Sequence, residues 1–350
     1  MVGKKHLLIL TYEMDESSQL FSHQVAVVNQ LAKLFEEVTV LTGKIGYYKV
    51  DSNVKVYSSR WQNGKRIHSI INFLSIFLKT VLRNRPNAIF SHMTSVQSAF
   101  VSPITSLLRL KHYLWYAHSS NNIYLKVSHF FLNGVLTATD GSCPIKSTKV
   151  KVIGHSIDPL VFSRKDEVIY PIKKFIHIGR FDPIKNIELI VETIHEIKKS
   201  HPDITFNNFG SPSKEVYTEY ESKVIKDYST TQNLEYIKFN ASINRNKLPS
   251  IIKLYDVFIH ACDAGLDKSI LEATLAGLPV VTINKQYLDI FGYWTTNSDT
   301  SQVSLTSEAL TLLNLSNKDL IVELDRRYEI ALQHADIRLW ASKVKNIIDG

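Results

Sequence analysis

Short runs rich in β-branched and aromatic residues alternate with longer stretches of helical period along the whole chain, and they do so in two successive series. That alternation is the mark of a parallel α/β architecture, because parallel strands need long crossovers and helices cover the faces of the sheet. In the first series, strands are expected over 6–12, 37–42, 54–58, 88–92, 112–118 and 135–138, and one intervening helix carries Val27, Val28, Leu31, Leu34 and Phe35 on a single face. The second series opens after a charged, turn-like stretch over 163–174, with a strand over 175–178 that runs into the loop GRFDPIKN. The helix that follows sets Ile187, Ile190, Val191, Ile194 and Ile197 along one stripe, with Asn186 as the expected N-cap, and further strands are expected over 204–208, 236–239, 257–260 and 280–283. A chain of 350 residues exceeds what one core comfortably supports. The expected fold is therefore α/β with two Rossmann-like domains facing across a cleft, residues 1–165 and 166–334, and with a C-terminal helix over about 335–350 packed back on the first.

Composition narrows the class. With 44% hydrophobic and 21% charged residues the chain has the make-up of a soluble globular protein. The apolar start is read as a first buried strand, because Glu13, Asp15 and Glu16 follow where a signal-peptide cleavage site would stand. The longest apolar-rich stretch, 67–82, is broken by His68, Ser69, Asn72, Ser75 and Lys79 and is too short and polar to span a bilayer. Two cysteines, Cys143 and Cys262, lack disulfide or metal-ligand spacing, which fits a reducing cytoplasm. Charge is unevenly shared: residues 1–165 hold 20 Lys and Arg against 8 Asp and Glu, a balance of +12, while the remainder is −4. A basic first domain points to an anionic surface, and residues 65–85 place an apolar helix face between Lys65, Arg66, Arg83 and Arg85, as a helix lying in a phospholipid headgroup region would. No base-reading motif accompanies the charge, so nucleic acid is not an expected partner.

In open parallel sheets, ligands bind beyond the carboxyl ends of the strands, and three loops of the second series carry suitable chemistry. The loop Gly179-Arg180-Phe181-Asp182-Pro183-Ile184-Lys185-Asn186 puts two cations five residues apart at a strand-to-helix turn, where they can surround a diphosphate or simply sit in solvent. The stretch from Asp263 to Val281 leads into a short helix over 268–276 closed by Gly277, and the N–H groups of Ser269 and Ile270 would point out of its start. Asp267 and Lys268 stand at that start, and Glu272, one turn further in, can accept two hydrogen bonds from a vicinal diol such as a ribose, or be mere surface. The third loop, around Gly210, ends a strand where backbone can approach a ligand.

Taken together, GRFDPIKN, NKLPSIIKLYDVFIHAC and LEATLAGLPVV resemble the donor-site segments of glycosyltransferase family 4, retaining enzymes with the two-domain architecture called GT-B. The resemblance covers the chain and is most specific over 175–285. It implies that Gly179, Arg180, Lys185, Gly210, Asp267 and Lys268 bind a nucleoside-diphosphate sugar, that Ser269 and Ile270 give its diphosphate backbone N–H groups, and that Glu272 holds the ribose. It also makes His118, at the end of a first-domain strand, a catalytic candidate beside Arg180 and Lys185. That histidine would stabilise developing positive charge through a neutral, accepting nitrogen. Where many members carry the first of two glutamates, this chain has Ala264, and the glycine pair of the first strand-to-helix loop is missing. No Asp-Xaa-Asp occurs, so no metal and no cofactor are expected: the available cations would neutralise the leaving diphosphate. The implied reaction is transfer with retention onto a glycan or lipid-linked acceptor, in bacterial surface polysaccharide synthesis, by a cytoplasmic protein peripheral to the inner membrane face. A nucleotide-sugar epimerase of the same architecture and a binding subunit without catalysis stay open, and turnover separates them.

Overall fold

The computed structural model describes residues 5–18, 20–62, 64–229, 235–295 and 303–350, and it divides into two compact units. One runs to Asp158 and resumes over His334–Gly350; the other is Pro159–Gln333. Each is built on its own parallel sheet, so the chain has two Rossmann-like domains.

The first domain holds β1 (His6–Met14), α1 (His23–Ala32), β2 (Glu37–Ile45), β3 (Val54–Ser58), α2 (Arg66–Arg83), β4 (Ala88–His92), α3 (Ser95–Leu107), β5 (Lys111–Trp115), α4 (Ile123–Phe131), β6 (Gly134–Thr137) and β7 (Val150–Val152). Its strand order is β3-β2-β1-β4-β5-β6-β7, reversing direction of growth between β1 and β4. The central strand shows why the sequence requires two covered faces: Leu7, Leu8, Ile9 and Leu10 are all fully buried. Because side chains alternate along a strand, Leu7 and Ile9 enter one core with α1, while Leu8 and Leu10 enter another with Phe73 and Phe77 of α2 and Val101 of α3.

The second domain holds β8 (Lys174–Ile178), α5 (Ile187–Lys198), β9 (Thr205–Phe209), α6 (Thr218–Ser229), β10 (Ile237–Asn240), α7 (Leu248–Ile252), β11 (Val257–His260), α8 (Lys268–Leu275), β12 (Val280–Thr282), α9 (Lys285–Phe291), α10 (Leu305–Leu313) and α11 (Asn317–Ala335). Its order is β10-β9-β8-β11-β12, with the reversal between β8 and β11. The stripe Ile187, Ile190, Val191, Ile194 and Ile197 of α5 is wholly buried against Phe175, Phe206 and Ile259.

The last helix, α12 (Ile337–Asp349), belongs to the first domain. Asp336 caps it by accepting from the Arg338 N–H at 2.8 Å. Trp340 then drives edge-on into a fully enclosed aromatic group, 5.8 Å from the Phe90 ring and 5.5 Å from Trp115.

Two sequence expectations are corrected here. The strand expected over 112–118 ends at Trp115; beyond it the His118 N–H bonds to Ser142 O at 2.8 Å, in the loop after β6, instead of continuing the ladder. Asn186 stands at the N-cap position of α5 but makes no side-chain cap bond, because it lies in the left-handed region at φ 50°.

Candidate functional site

The second-domain residues singled out in the sequence lie in the loops after β8 and β9 and, past β11, at the start and in the second turn of α8. The loop after β8 passes close to the loop after β9. The Gly179 N–H bonds to Phe209 O at 3.1 Å and the Phe181 N–H to Ser211 O at 3.0 Å. Buried Asp182 clamps the two loops by accepting from the Ser213 hydroxyl at 2.7 Å and from its N–H at 3.2 Å. Gly210 has a steric reason to be glycine: a Cβ there would sit 1.9 Å from Gly179 O. Gly210→Ala is therefore expected to lower stability by about 1–3 kcal/mol through forced separation of the loops, measured as a drop in urea midpoint; an unchanged midpoint would contradict the tight approach.

Arg180 projects into solvent, 3.2 Å from the Asp182 carboxylate, whereas Lys185 is buried at the end of a 3-10 turn over Pro183–Lys185. The Lys185 ammonium donates to Asp267. Asp267 also accepts from His260 Nε2 at 2.8 Å, and His260 Nδ1 is 3.0 Å from the Thr282 hydroxyl. An ionised carboxylate only accepts, so Nε2 carries the proton and Thr282 donates to Nδ1. Burial works to raise the Asp267 carboxyl, but the hydrogen bond from His260 and the Lys185 charge outweigh it and hold it well below the usual carboxylate range. Asp267 occupies the N-cap position of α8 yet makes no cap bond. With the side chain turned to Lys185 and His260, the first-turn N–H groups of α8, those of Ser269 and Ile270 among them, carry no capping acceptor and favour an anion.

One turn on, Glu272 is not the surface side chain that was one of its two sequence readings. It is 1% exposed, and both of its oxygens are held by Arg245, Oε2 at 2.8 Å from Nη1 and Oε1 on Nη2. The guanidinium is seated 5.2 Å over the Phe162 ring, and Lys268 Nζ lies 4.0 Å from Glu272 Oε1. Burial pushes the Lys268 ammonium down to about 8, with Arg245 acting in the same direction and Glu272 opposing both. Arg245 and His260 are the two residues that sequence reasoning missed. A helical glutamate buried among Leu271, Ala273 and Leu275 demands a cation, and that demand was the available signal for Arg245.

His118 lies in the first domain and is exposed. Its Nδ1 accepts from the Ser120 N–H at 2.9 Å, so the neutral ring presents Nε2–H, a donor, where an accepting nitrogen was expected. Among the described residues, His260, Cys262 and Asp267 bring metal-ligand atoms within 4.8 Å of one another. The Lys185 ammonium already sits on Asp267, however, and this donor set fits an internal ion pair better than a metal.

Residues 172–302 match the protein family of glycosyl transferases group 1. The chain is a glycosyltransferase. No curated protein matches this glycosyltransferase. Among solved structures, it is similar to HepE of Anabaena in complex with UDP and glucose, at 13% identity and a TM-score of 0.73, covering 99% of this chain and 100% of that one. It is also similar to sucrose-phosphate synthase of Thermosynechococcus elongatus, at 12% identity, TM-score 0.72 and 98% of each chain. WaaG, a glycosyltransferase involved in lipopolysaccharide biosynthesis, matches at 11% identity and TM-score 0.62, over 98% of this chain and 100% of that one. These likenesses show that the glycosyltransferase has the GT-B fold.

Proposed function

We propose that the protein is a retaining glycosyltransferase that moves a sugar from a nucleoside-diphosphate sugar, held by the second domain, to a glycan or lipid-linked acceptor in surface polysaccharide synthesis. The observation that carries the reading is the uncapped start of α8 beside Lys185 and Lys268, an anion seat at the sheet's reversal point. The UDP and glucose bound by HepE and the lipopolysaccharide role of WaaG support the donor class and the pathway class. In this reading the diphosphate lies on the Ser269 and Ile270 N–H groups, with Lys185, Lys268 and Arg180 as counter-charges. The bond from the sugar's anomeric carbon to the phosphate oxygen breaks, the acceptor oxygen bonds on the same face, and its proton passes to the departing phosphate. His118 Nε2–H donates to a sugar hydroxyl. Glu272 holds the ribose: a carboxylate offers about four lone-pair sites, and Arg245 uses two. The cations supply what a metal would, so transfer proceeds in excess chelator.

A thermal-shift series with UDP, GDP and their glucose, galactose and mannose conjugates tests this, followed by assay of transfer and slow donor hydrolysis. Stabilisation by one nucleotide series with turnover is expected. Binding without any turnover would favour the non-catalytic subunit, and no stabilisation by any of them would remove the donor assignment. The Lys268 charge adds a pH limb. The ammonium is the form that attracts the diphosphate, so kcat/KM for the donor should fall as pH rises through about 8, and Lys268→Arg should abolish that limb. A limb that persists in the Arg variant assigns it elsewhere.

The basic first domain further supports attachment to an anionic membrane face. In α2, Phe73, Phe77 and Val81 are buried in the core, whereas Ile67, Ile71 and Leu82 are 77%, 62% and 75% exposed, forming a second apolar stripe along the helix. Lys65, Lys79 and Arg83 are exposed on the same helix or at its start, and each basic side chain near an anionic surface contributes about 1 kcal/mol. No described helix is long and apolar enough to cross a membrane. Cosedimentation should show binding to anionic vesicles that fades with salt, and Ile71→Ser/Leu82→Ser should weaken it. Equal absence of binding to anionic and neutral vesicles at low salt would point to a soluble acceptor.

A further inference from the structure

The buried pair of Arg245 and Glu272 has a third member. Arg245 reaches Glu272 from a 3-10 turn over Arg245–Lys247, by a long side chain whose hydrogen bonds, among the described residues, go to Glu272 alone. A side chain of that length is costly to immobilise, and two bonds at its tip leave the rest of it unheld. Glu272 also has a competing cation, since Lys268 Nζ lies 4.0 Å from its Oε1. The Phe162 ring supplies the missing constraint. The guanidinium carbon lies 5.2 Å from the ring centroid, within the range at which a π face holds a cation, and Phe162 is 4% exposed, so little water weakens the contact.

Phe162 is itself held by the residues that follow it. Ser163 Oγ accepts from Lys253 Nζ at 2.8 Å, Arg164 pairs with Asp325 and lies 5.1 Å over the Tyr328 ring, and the Lys165 N–H bonds to Ala276 O at 3.0 Å. Gly277 leaves room for this course: a Cβ there would sit 2.9 Å from Arg164 Cγ. Ala276 is the C-cap of α8 and Glu272 stands in its second turn. One short segment therefore meets that helix twice, directly at its end and through Phe162 and Arg245 at Glu272.

We infer that Phe162 is a positioning residue for nucleotide binding: its ring fixes the Arg245 guanidinium, which in turn holds Glu272 with its free lone pairs toward the ribose hydroxyls. Without the ring face the guanidinium gains freedom, and Glu272 turns toward Lys268 and gives up accepting sites that a diol needs. An aliphatic side chain fills much of the same space but offers no π face, so it does not replace the ring. The inference rests on the proposed ribose contact of Glu272 and deepens it.

Calorimetric titration of the full chain with UDP and GDP, each compared with its 2′,3′-dideoxy analogue, tests this. The parent should bind one of the two nucleotides about tenfold or more tighter than its dideoxy form, because a hydroxyl on a carboxylate makes a charge-assisted hydrogen bond. Phe162→Leu should shrink that preference to about threefold or less while leaving the affinity for the dideoxy form unchanged, and Phe162→Tyr, which restores the ring face, should retain it. The unchanged dideoxy affinity also shows that the site of the Leu variant is folded. Ser163→Ala, which loosens the same segment without touching the ring, should keep the parent's preference. A preference that survives in Phe162→Leu would overturn the inference. So would an equal loss of affinity for both forms in Phe162→Leu, or a lost preference in Ser163→Ala, since each reports general loosening of the segment. A parent that binds both forms equally would overturn the ribose contact itself, and a parent that binds neither nucleotide would remove the donor assignment on which both stand.

Discussion

Arg245→Ala is expected to destabilise the protein by about 3–5 kcal/mol, a large fraction of the roughly 5–15 kcal/mol that holds a typical domain folded. The size follows from what is left behind. Glu272 is 1% exposed and both of its oxygens rest on the guanidinium, so truncation strands an ionised carboxylate in the core of the second domain. Lys268, 4.0 Å away and itself pushed down to about 8 by burial, compensates only in part. Urea denaturation measures the loss. The double variant Arg245→Met/Glu272→Leu separates structure from function, because replacing a whole buried ion pair by apolar residues is often neutral or favourable. It should regain most of the stability while nucleotide fails to stabilise it, since the group proposed to hold the ribose is gone. A double variant that nucleotide stabilises as it does the parent would show the pair to be structural only.

That pair marks the limit of what the sequence discloses. The α/β alternation was legible because its signals are local: Leu7 to Leu10 form an apolar run that only a sheet covered on both faces can bury, and the α5 stripe has a helical period that survives into the structure. Strand ends were less so. The segment over 112–118 has the composition of one strand, and only the competing carbonyl of Ser142 draws His118 away from the ladder. Strand β7 was not read at all, since Val150, Lys151 and Val152 are too few and too polar to stand out, and the pairing with β6 defines them.

The site shows the same division. Loop positions followed from strand-to-helix turns and their glycines, so Gly179, Gly210, Lys185 and Lys268 could be found by position. Partners could not. Glu272 and Arg245 are 27 residues apart, and Lys185 and Asp267 are 82 apart, with nothing in either segment to name the other. Asp267 stands at the N-cap position of α8 but its side chain is turned elsewhere. Its true orientation depends on His260, a residue that reads as an ordinary strand end.

Lys185→Ala is expected to lower kcat/KM by about 10²–10³, or roughly 2.7–4 kcal/mol of transition-state stabilisation, because in the proposed reaction it removes a fixed cation where the leaving diphosphate gathers charge. The ammonium is useful there only if it is already in place. Thr282, His260 and Asp267 form a chain of hydrogen bonds that ends on it, and the side chain is 9% exposed, so few alternative positions remain to it. Asp267 is then a positioning residue acting through Lys185, and its removal should matter only while Lys185 is present. Asp267→Ala alone should lower kcat/KM by about tenfold, falling mainly on kcat, and Lys185→Ala/Asp267→Ala should be no worse than Lys185→Ala. This strong non-additivity is the discriminating result. Two independent groups would give the product of the single effects, and a carboxylate that merely competes with the donor for the ammonium would give a tighter KM when removed. Thermal melts of all three variants complete the cycle: His260 still donates to Asp267 when Lys185 is absent, so the single Lys variant should fold normally and its kinetic loss be read directly.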